Sequence, residues 1–107
     1  MDCQEGATQV AKTKHDTTAE KLAKKEGVDY NRGAGADIQA KRRVIEVETE
    51  KTANDGLRQL QGYRKPVYIA GADAKATEAA LEATKGTTVG VINQQGKVVK
   101  SSTRKKP

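Results

Sequence analysis

Hydrophobic and polar positions along the chain follow two periods, one typical of helices and one typical of strands. Short apolar runs bounded by glycine or proline predict strands, and apolar residues three or four positions apart predict the helices between them. The predicted helices lie at 17–26, 52–63 and 74–85, and the predicted strands at 28–30, 36–40, 43–48, 67–70, 87–92 and 97–100. This order, α-β-β-β-α-β-α-β-β, predicts an α/β fold with a mixed sheet flanked by helices.

The 107 residues predict one domain, because the length leaves no room for two cores of ordinary size. A capping-box pattern from Thr17 to Glu20 marks the expected start of the first helix. Residues 1–16 are therefore expected to form a loose arm, 17–100 the domain and 101–107 a basic, disordered tail. The sequence has no apolar run long enough to span a bilayer and no signal-peptide pattern, so we expect a cytoplasmic protein without a membrane partner.

Composition narrows the chemistry that the chain can carry. It has no Phe or Trp, and its single cysteine, Cys3, excludes an internal disulfide framework and a multi-cysteine zinc site. The single histidine, His15, is interpreted as a surface residue and argues against a Ser-His-Asp triad. Polar chemistry must then come from carboxylates, lysines and arginines. The formal net charge of +6 favours a polyanionic partner such as nucleic acid.

The stretch from 36 to 48 predicts a hairpin with a defined register. If residues 41–42 form its turn, Ile38 faces Ile45, and this apolar pair supports the alignment. In the same register Asp37 faces Glu46, and their Cβ atoms would lie about 4.5–5.5 Å apart. The register predicts two carboxylates side by side.

A third carboxylate joins this pair. Glu48 lies two residues beyond Glu46 and projects from the same face of the strand, while the opposite face is expected to be buried. Like charges directly opposite each other destabilise a sheet, and Mg²⁺ or Mn²⁺ would offset the repulsion. Alternatively, Glu46 and Glu48 are ordinary solvent-facing positions of a half-exposed strand.

Asp37, the short hairpin and Glu46-Val47-Glu48 resemble the PD-(D/E)xK nuclease superfamily, whose restriction-endonuclease-like core has the order αβββαβ. The segment 59–63, Gln-Leu-Gln-Gly-Tyr, is similar to the Q-x-x-x-Y motif of its RecB-like members. The resemblance covers residues 17–92. Glu48 stands where the usual E-x-K motif has lysine, as in the E-x-E variants of some restriction enzymes in this superfamily, and Lys51 lies three residues further on.

The resemblance implies a Mg²⁺- or Mn²⁺-dependent nuclease that hydrolyses phosphodiester bonds in DNA rather than RNA, and it leaves room for a homodimer. It implies that Asp37 and Glu46 hold the metal with the main-chain carbonyl of Val47, and that Glu20 is an additional acidic residue. Glu48 would orient or deprotonate the attacking water. The remaining candidates for contacts with the metal shell or with phosphates are Gln59, Tyr63, Arg32, Lys41, Arg42, Arg43 and Arg58.

The missing lysine keeps a second hypothesis open. A member of this superfamily that has lost its chemistry could retain the fold as a module that binds nucleic acid or mediates assembly. A third, weaker hypothesis is a domain that keeps the fold and binds neither nucleic acid nor metal.

Overall fold

The computed structural model describes residues 13–31 and 35–104. In these residues the chain forms three helices and five strands. In chain order they are α1 (Lys14–Glu26), β1 (Ile38–Gln39), β2 (Val44–Glu48), α2 (Ala53–Gln59), β3 (Val67–Gly71), α3 (Ala74–Ala83), β4 (Gly90–Ile92) and β5 (Val98–Lys100).

The strands form one mixed sheet in sequential order, β1-β2-β3-β4-β5. The two outer pairs, β1 with β2 and β4 with β5, are antiparallel, whereas β2, β3 and β4 run parallel to one another. Parallel neighbours need crossover connections, which α2 and α3 supply. The predicted α/β class and the mixed sheet flanked by helices are confirmed, while a restriction-endonuclease-like core stays a prediction.

Helices cover both faces of the sheet. On one face, Leu22 and neighbouring alanines of α1 pack on Ile45, Val47 and Ile92. On the other face, a second apolar cluster joins strand residues such as Ile69 to the helical segments after β2 and β3. Strand β2 is consequently buried along its whole length. The alternative in which its glutamates face solvent is wrong for this fold.

The first helix begins three residues earlier than its predicted start. Thr13 is the N-cap, and its Oγ1 accepts a hydrogen bond of 3.1 Å from the N–H of Asp16. The predicted capping box at Thr17 is therefore wrong, because Thr17 and Glu20 lie inside α1. Residues 14–16, expected to belong to a loose arm, form the first turn of the helix.

Two further element predictions need correction. Residues 28–30 form no strand. The alternating pattern of this segment arises because Val28 and Tyr30 pack against the α1 side of the core, and no described strand pairs with them. The helix expected over 52–63 covers Ala53–Gln59 and is followed by a turn in which Gly62 has a φ of +90°. Tyr63 consequently lies outside the helix, and it does not share a helix face with Gln59.

The segment after β5 is ordered at least as far as Arg104. Ser102 Oγ accepts a hydrogen bond from the N–H of Val67 (3.1 Å) and donates one to the carbonyl of Thr88 (2.8 Å). The guanidinium of Arg104 donates to the carbonyls of Leu60 (2.6 Å) and Tyr63 (3.1 Å). The expectation of a disordered tail is thus wrong for residues 101–104, and its last three residues lie outside the described part.

Candidate functional site

The hairpin between β1 and β2 has the predicted register. Ile38 pairs with Ile45, and the N–H of Ala40 donates to the carbonyl of Arg43 (3.0 Å) around the two-residue turn. One step beyond the end of β1, this register brings Asp37 opposite Glu46. The juxtaposition of these two carboxylates is therefore confirmed.

Asp37 is fixed to β2 by hydrogen bonds of both its main chain and its side chain. Its N–H donates to Oε1 of Glu46 (3.0 Å), and its Oδ2 accepts from the N–H of Val47 (3.0 Å). Because the N–H and carbonyl of one strand residue point to the same side, the Val47 carbonyl also faces this edge of β2. Asp37, Glu46 and the main chain of Val47 thus meet where β1 ends.

Glu46 and Glu48 project from the face of β2 that lies beneath α2, opposite the face of Ile45 and Val47. Only 8% of the surface of Glu46 and 6% of that of Glu48 are exposed. Burial is the largest cause that raises the pKa of Glu46, to about 8, and the negative charge of Asp37 adds to it. Burial also raises the pKa of Glu48. The two side chains hydrogen-bond to each other, so at neutral pH this pair retains a proton on Glu46.

Gly56 allows α2 to approach these glutamates closely. A Cβ atom at this position would lie 2.9 Å from Cγ of Glu48 and 3.1 Å from Cδ1 of Ile69. The helix predicted over 52–63 includes this glycine. Its position in the middle of a short amphipathic helix is the signal for a close approach.

His15 is part of the site, and its interpretation as a surface residue is wrong. Its Nε2 donates to Oδ2 of Asp37 (3.1 Å), and its Nδ1 lies 3.2 Å from the hydroxyl of Tyr30. The hydrogen bond with Asp37 is the largest cause that raises the pKa of His15 to about 9, so the ring is protonated at neutral pH. The Tyr30 hydroxyl then accepts from Nδ1 and donates to Asp16 (3.2 Å). The Thr13-x-x-Asp16 cap pattern was the sequence signal for a helix that includes His15.

The two residues of the Q-x-x-x-Y pattern have different surroundings. Gln59 is exposed at the last position of α2. Tyr63 is half-buried, and its hydroxyl accepts a hydrogen bond of 3.1 Å from the N–H of Ala36. Tyr63 thereby anchors the residue before Asp37, which gives it a structural contact with the site; a contact with nucleic acid stays a prediction.

The predicted phosphate contacts are spread over the molecule. Lys41 and Arg42 are exposed at the hairpin turn. Arg43 forms an ion pair with Glu26, and its guanidinium lies 5.4 Å from the ring centre of Tyr68. The remaining two are Arg58, which is exposed and paired with Asp55, and Arg32, which lies outside the described residues.

Glu20, the additional acidic residue of the prediction, lines a separate surface groove with Lys24 and Asp29. The carboxylates of the hairpin are not part of that groove. Within residues 13–31 and 35–104, no three His, Cys, Asp or Glu side chains are arranged as a ready-made metal-ligand group. A metal here would therefore take one or two carboxylates, main-chain oxygen and water, which is a mode of binding ordinary for Mg²⁺.

The chain matches no family model, no curated protein and no solved structure. Among the described helices, none has the length and apolar character needed to cross a membrane.

Proposed function

We propose that this chain is a metal-dependent nuclease that hydrolyses phosphodiester bonds in DNA. The observation that carries the proposal is the hydrogen-bonded pair of Asp37 and Glu46, with Glu48 beside it on the same strand. The net charge of +6 favours a polyanionic substrate. The order of the acidic residues in the sequence, which resembles the PD-(D/E)xK nucleases, supports phosphodiester hydrolysis over other metal-assisted reactions.

The donor atoms of the site suit a hard divalent cation. Asp37 and Glu46 offer carboxylate oxygens at the edge where the Val47 carbonyl also points, and oxygen ligands are those that Mg²⁺ and Mn²⁺ prefer. These three residues would hold the ion. When bound, the cation would supply charge stabilisation at the phosphodiester and lower the pKa of a bound water.

The chain's own residues have separable tasks in this proposal. His15 and the N–H of Val47 both donate to Oδ2 of Asp37, so they orient this carboxylate. Glu48 would accept the proton of the attacking water, because burial raises its pKa towards the range in which a carboxylate is an effective general base. Exposed amide and cationic groups, Gln59, Lys41 and Arg42 among them, would contact phosphates.

We also propose that the enzyme acts inside the cell. A homodimer would enlarge the contact area that a chain of 107 residues can offer to DNA.

A nucleic-acid-binding module without catalysis is the second candidate function. Glu48 occupies the position at which the resembled motif has lysine, and Lys51, the nearest lysine in the sequence, is exposed in the turn after β2. Without a lysine at position 48, the site could hold DNA and leave it intact. Cleavage and binding therefore have to be measured separately.

A cleavage assay with matched variants tests the proposal. Supercoiled plasmid is incubated with Mg²⁺, Mn²⁺ or EDTA, and wild type is compared with Asp37→Asn and Glu46→Gln. Glu78→Gln, an exposed change on α3, is the matched control, and an RNA of the same sequence tests the preference for DNA. We expect metal-dependent nicking in wild type and Glu78→Gln and its loss in both site variants. DNA binding in EDTA without cleavage under any condition would favour the module instead.

A further inference from the structure

A groove beside α1 contains polar groups that the proposed chemistry does not use. We call it the α1 groove; its volume is about 360 Å³. One wall is α1, the floor is the chain that leaves β3, and the turn after β4 closes the far end. The residues that matter for its chemistry are Lys14, Thr17, Lys21, Ala72, Asp73 and Gln94.

Three hydrogen-bond donors of this groove have no partner among the described residues. Lys21 is exposed, and no described residue forms an ion pair or a side-chain hydrogen bond with it. The same holds, within the described part of the chain, for the hydroxyl of Thr17 and the side-chain amide of Gln94. An ammonium, a hydroxyl and an amide that face one concave surface are the donor types that bind phosphate oxygens.

The charge of the groove matches a phosphodiester. Asp73 is its one acidic side chain, and that carboxylate already caps α3 through the N–H of Ala76 (2.8 Å) and pairs with Lys14 (3.1 Å). Both contacts contribute to the lowering of the Asp73 pKa, with the hydrogen bond from Ala76 as the largest cause. Lys21 therefore remains as an uncompensated positive charge, equal and opposite to that of one backbone phosphate.

The groove adjoins the carboxylate site. The N–H of Ala72, on its floor, donates to the carbonyl of Glu48 (3.0 Å), and Lys14 precedes His15 at the start of α1. The α1 groove and the carboxylate site both lie at the edge where the parallel strands β2, β3 and β4 reach their carboxyl ends. This edge is where ligands bind in α/β sheets. A DNA strand lying along this edge would pass from one to the other.

We infer that the α1 groove binds a backbone phosphate of the DNA strand whose neighbouring linkage lies at Asp37 and Glu46, with Lys21 as its principal contact. This inference rests on the proposed function, because it assumes DNA as the substrate. It adds a phosphate contact on α1 to those that the sequence predicts on the hairpin and on α2.

Fluorescence anisotropy with labelled duplex DNA in EDTA tests the groove without cleavage. Lys21→Gln is compared with Lys24→Gln, a change at another exposed lysine of the same helix, which lines the other groove. We expect Lys21→Gln to weaken binding about 3- to 10-fold at 0.1 M salt and to reduce the slope of log K against log salt by about 0.9. The affinity of Lys24→Gln should stay within about twofold of that of wild type. Lys21→Arg, which keeps the positive charge, should bind DNA about as tightly as wild type.

Equal losses in the two glutamine variants would overturn the assignment, because general charge would then explain the binding. No loss in either variant would overturn it too, because Lys21 would then contribute nothing to the affinity. Inorganic phosphate provides a second arm. If phosphate shifts the Ala72 amide resonance while Lys21→Gln leaves DNA affinity unchanged, the groove takes free phosphate and the inference is wrong. Failure of the proposed function has a separate readout, since absent cleavage with Mg²⁺ does not alter affinities measured in EDTA.

Discussion

Replacing Glu46 with glutamine should stabilise the metal-free protein at neutral pH. In the fold, burial and the charge of Asp37 raise the pKa of Glu46 from 4.5 to about 8. The unfolded chain ionises this group near 4.5, so the folded state loses relative stability as pH rises from 4.5 to about 8. Glutamine resembles the protonated acid at all of these pH values, and its Oε1 can still accept from the N–H of Asp37.

The magnitude follows from the size of the pKa shift. Each pH unit between the two pKa values lowers the free energy of unfolding by about 1.4 kcal/mol. From pH 4.5 to pH 7 the raised pKa of Glu46 therefore costs the folded protein at most about 3.4 kcal/mol. Water reaches the site from the side of Asp37, which is 13% exposed, and screens part of this cost. We therefore expect Glu46→Gln to add about 2 kcal/mol to the free energy of unfolding at pH 7 and under about 1 kcal/mol at pH 5.

Urea unfolding in EDTA at several pH values measures this difference, with Glu78→Gln as the control for loss of an exposed charge. A gain that is the same at pH 5 and pH 8, or a loss of stability at pH 7, would refute the electrostatic reasoning. Adding Mg²⁺ provides the complementary measurement. A cation bound only by the folded wild type at 100 times its Kd contributes about 2.7 kcal/mol, which should remove the advantage of the variant.

Two further substitutions probe the contacts around these carboxylates. Gly56→Ala should lower the free energy of unfolding by about 1 kcal/mol, because the clash with Glu48 exceeds the gain in helix propensity. Thermal or urea unfolding measures this change. Asn54→Ala, an exposed change on the same helix, is the control and should not destabilise the protein. His15→Gln should cost about 1–2 kcal/mol at pH 6 and little above pH 9, since a raised histidine pKa stabilises the fold below 6.5 and this contribution disappears through pH 9. A pH-independent effect of His15→Gln would contradict its ion pair with Asp37.

The hairpin was predictable because local rules determine it. The two-residue turn at 41–42, the apolar pair of Ile38 and Ile45, and the alternation of β2 all support one register, and a slip by one residue would reverse every side chain. That register alone brings Asp37 to Glu46. Burial of the glutamates was not predictable in the same way, since it depends on α2 packing over the strand.

The contacts that the sequence did not reveal join residues distant along the chain. His15 and Asp37 are 22 positions apart, and Arg104 reaches the carbonyl of Leu60 across 44 positions. Hydrophobic periodicity carries no information about such contacts, because they are made by polar side chains and main-chain carbonyl groups. The end of α2 did have a local signal, since Gly62 adopts a positive φ that few other residues tolerate.

Under the proposed function, the charges of the site would favour a cation even though position 48 lacks the lysine of the resembled motif. At pH 7 Glu46 holds a proton and His15 is positively charged, so proton and imidazolium together offset part of the repulsion among three carboxylates. The proton on Glu46 depends first on burial of this side chain beneath α2, and the imidazolium depends on the hydrogen bond between His15 of α1 and Asp37. A divalent cation would displace the proton of Glu46 and offset two negative charges at once. Glutamate rather than lysine at position 48 therefore leaves the metal-free site more acidic, which under the proposed function would strengthen its attraction for a metal and remove a cationic contact for the phosphate.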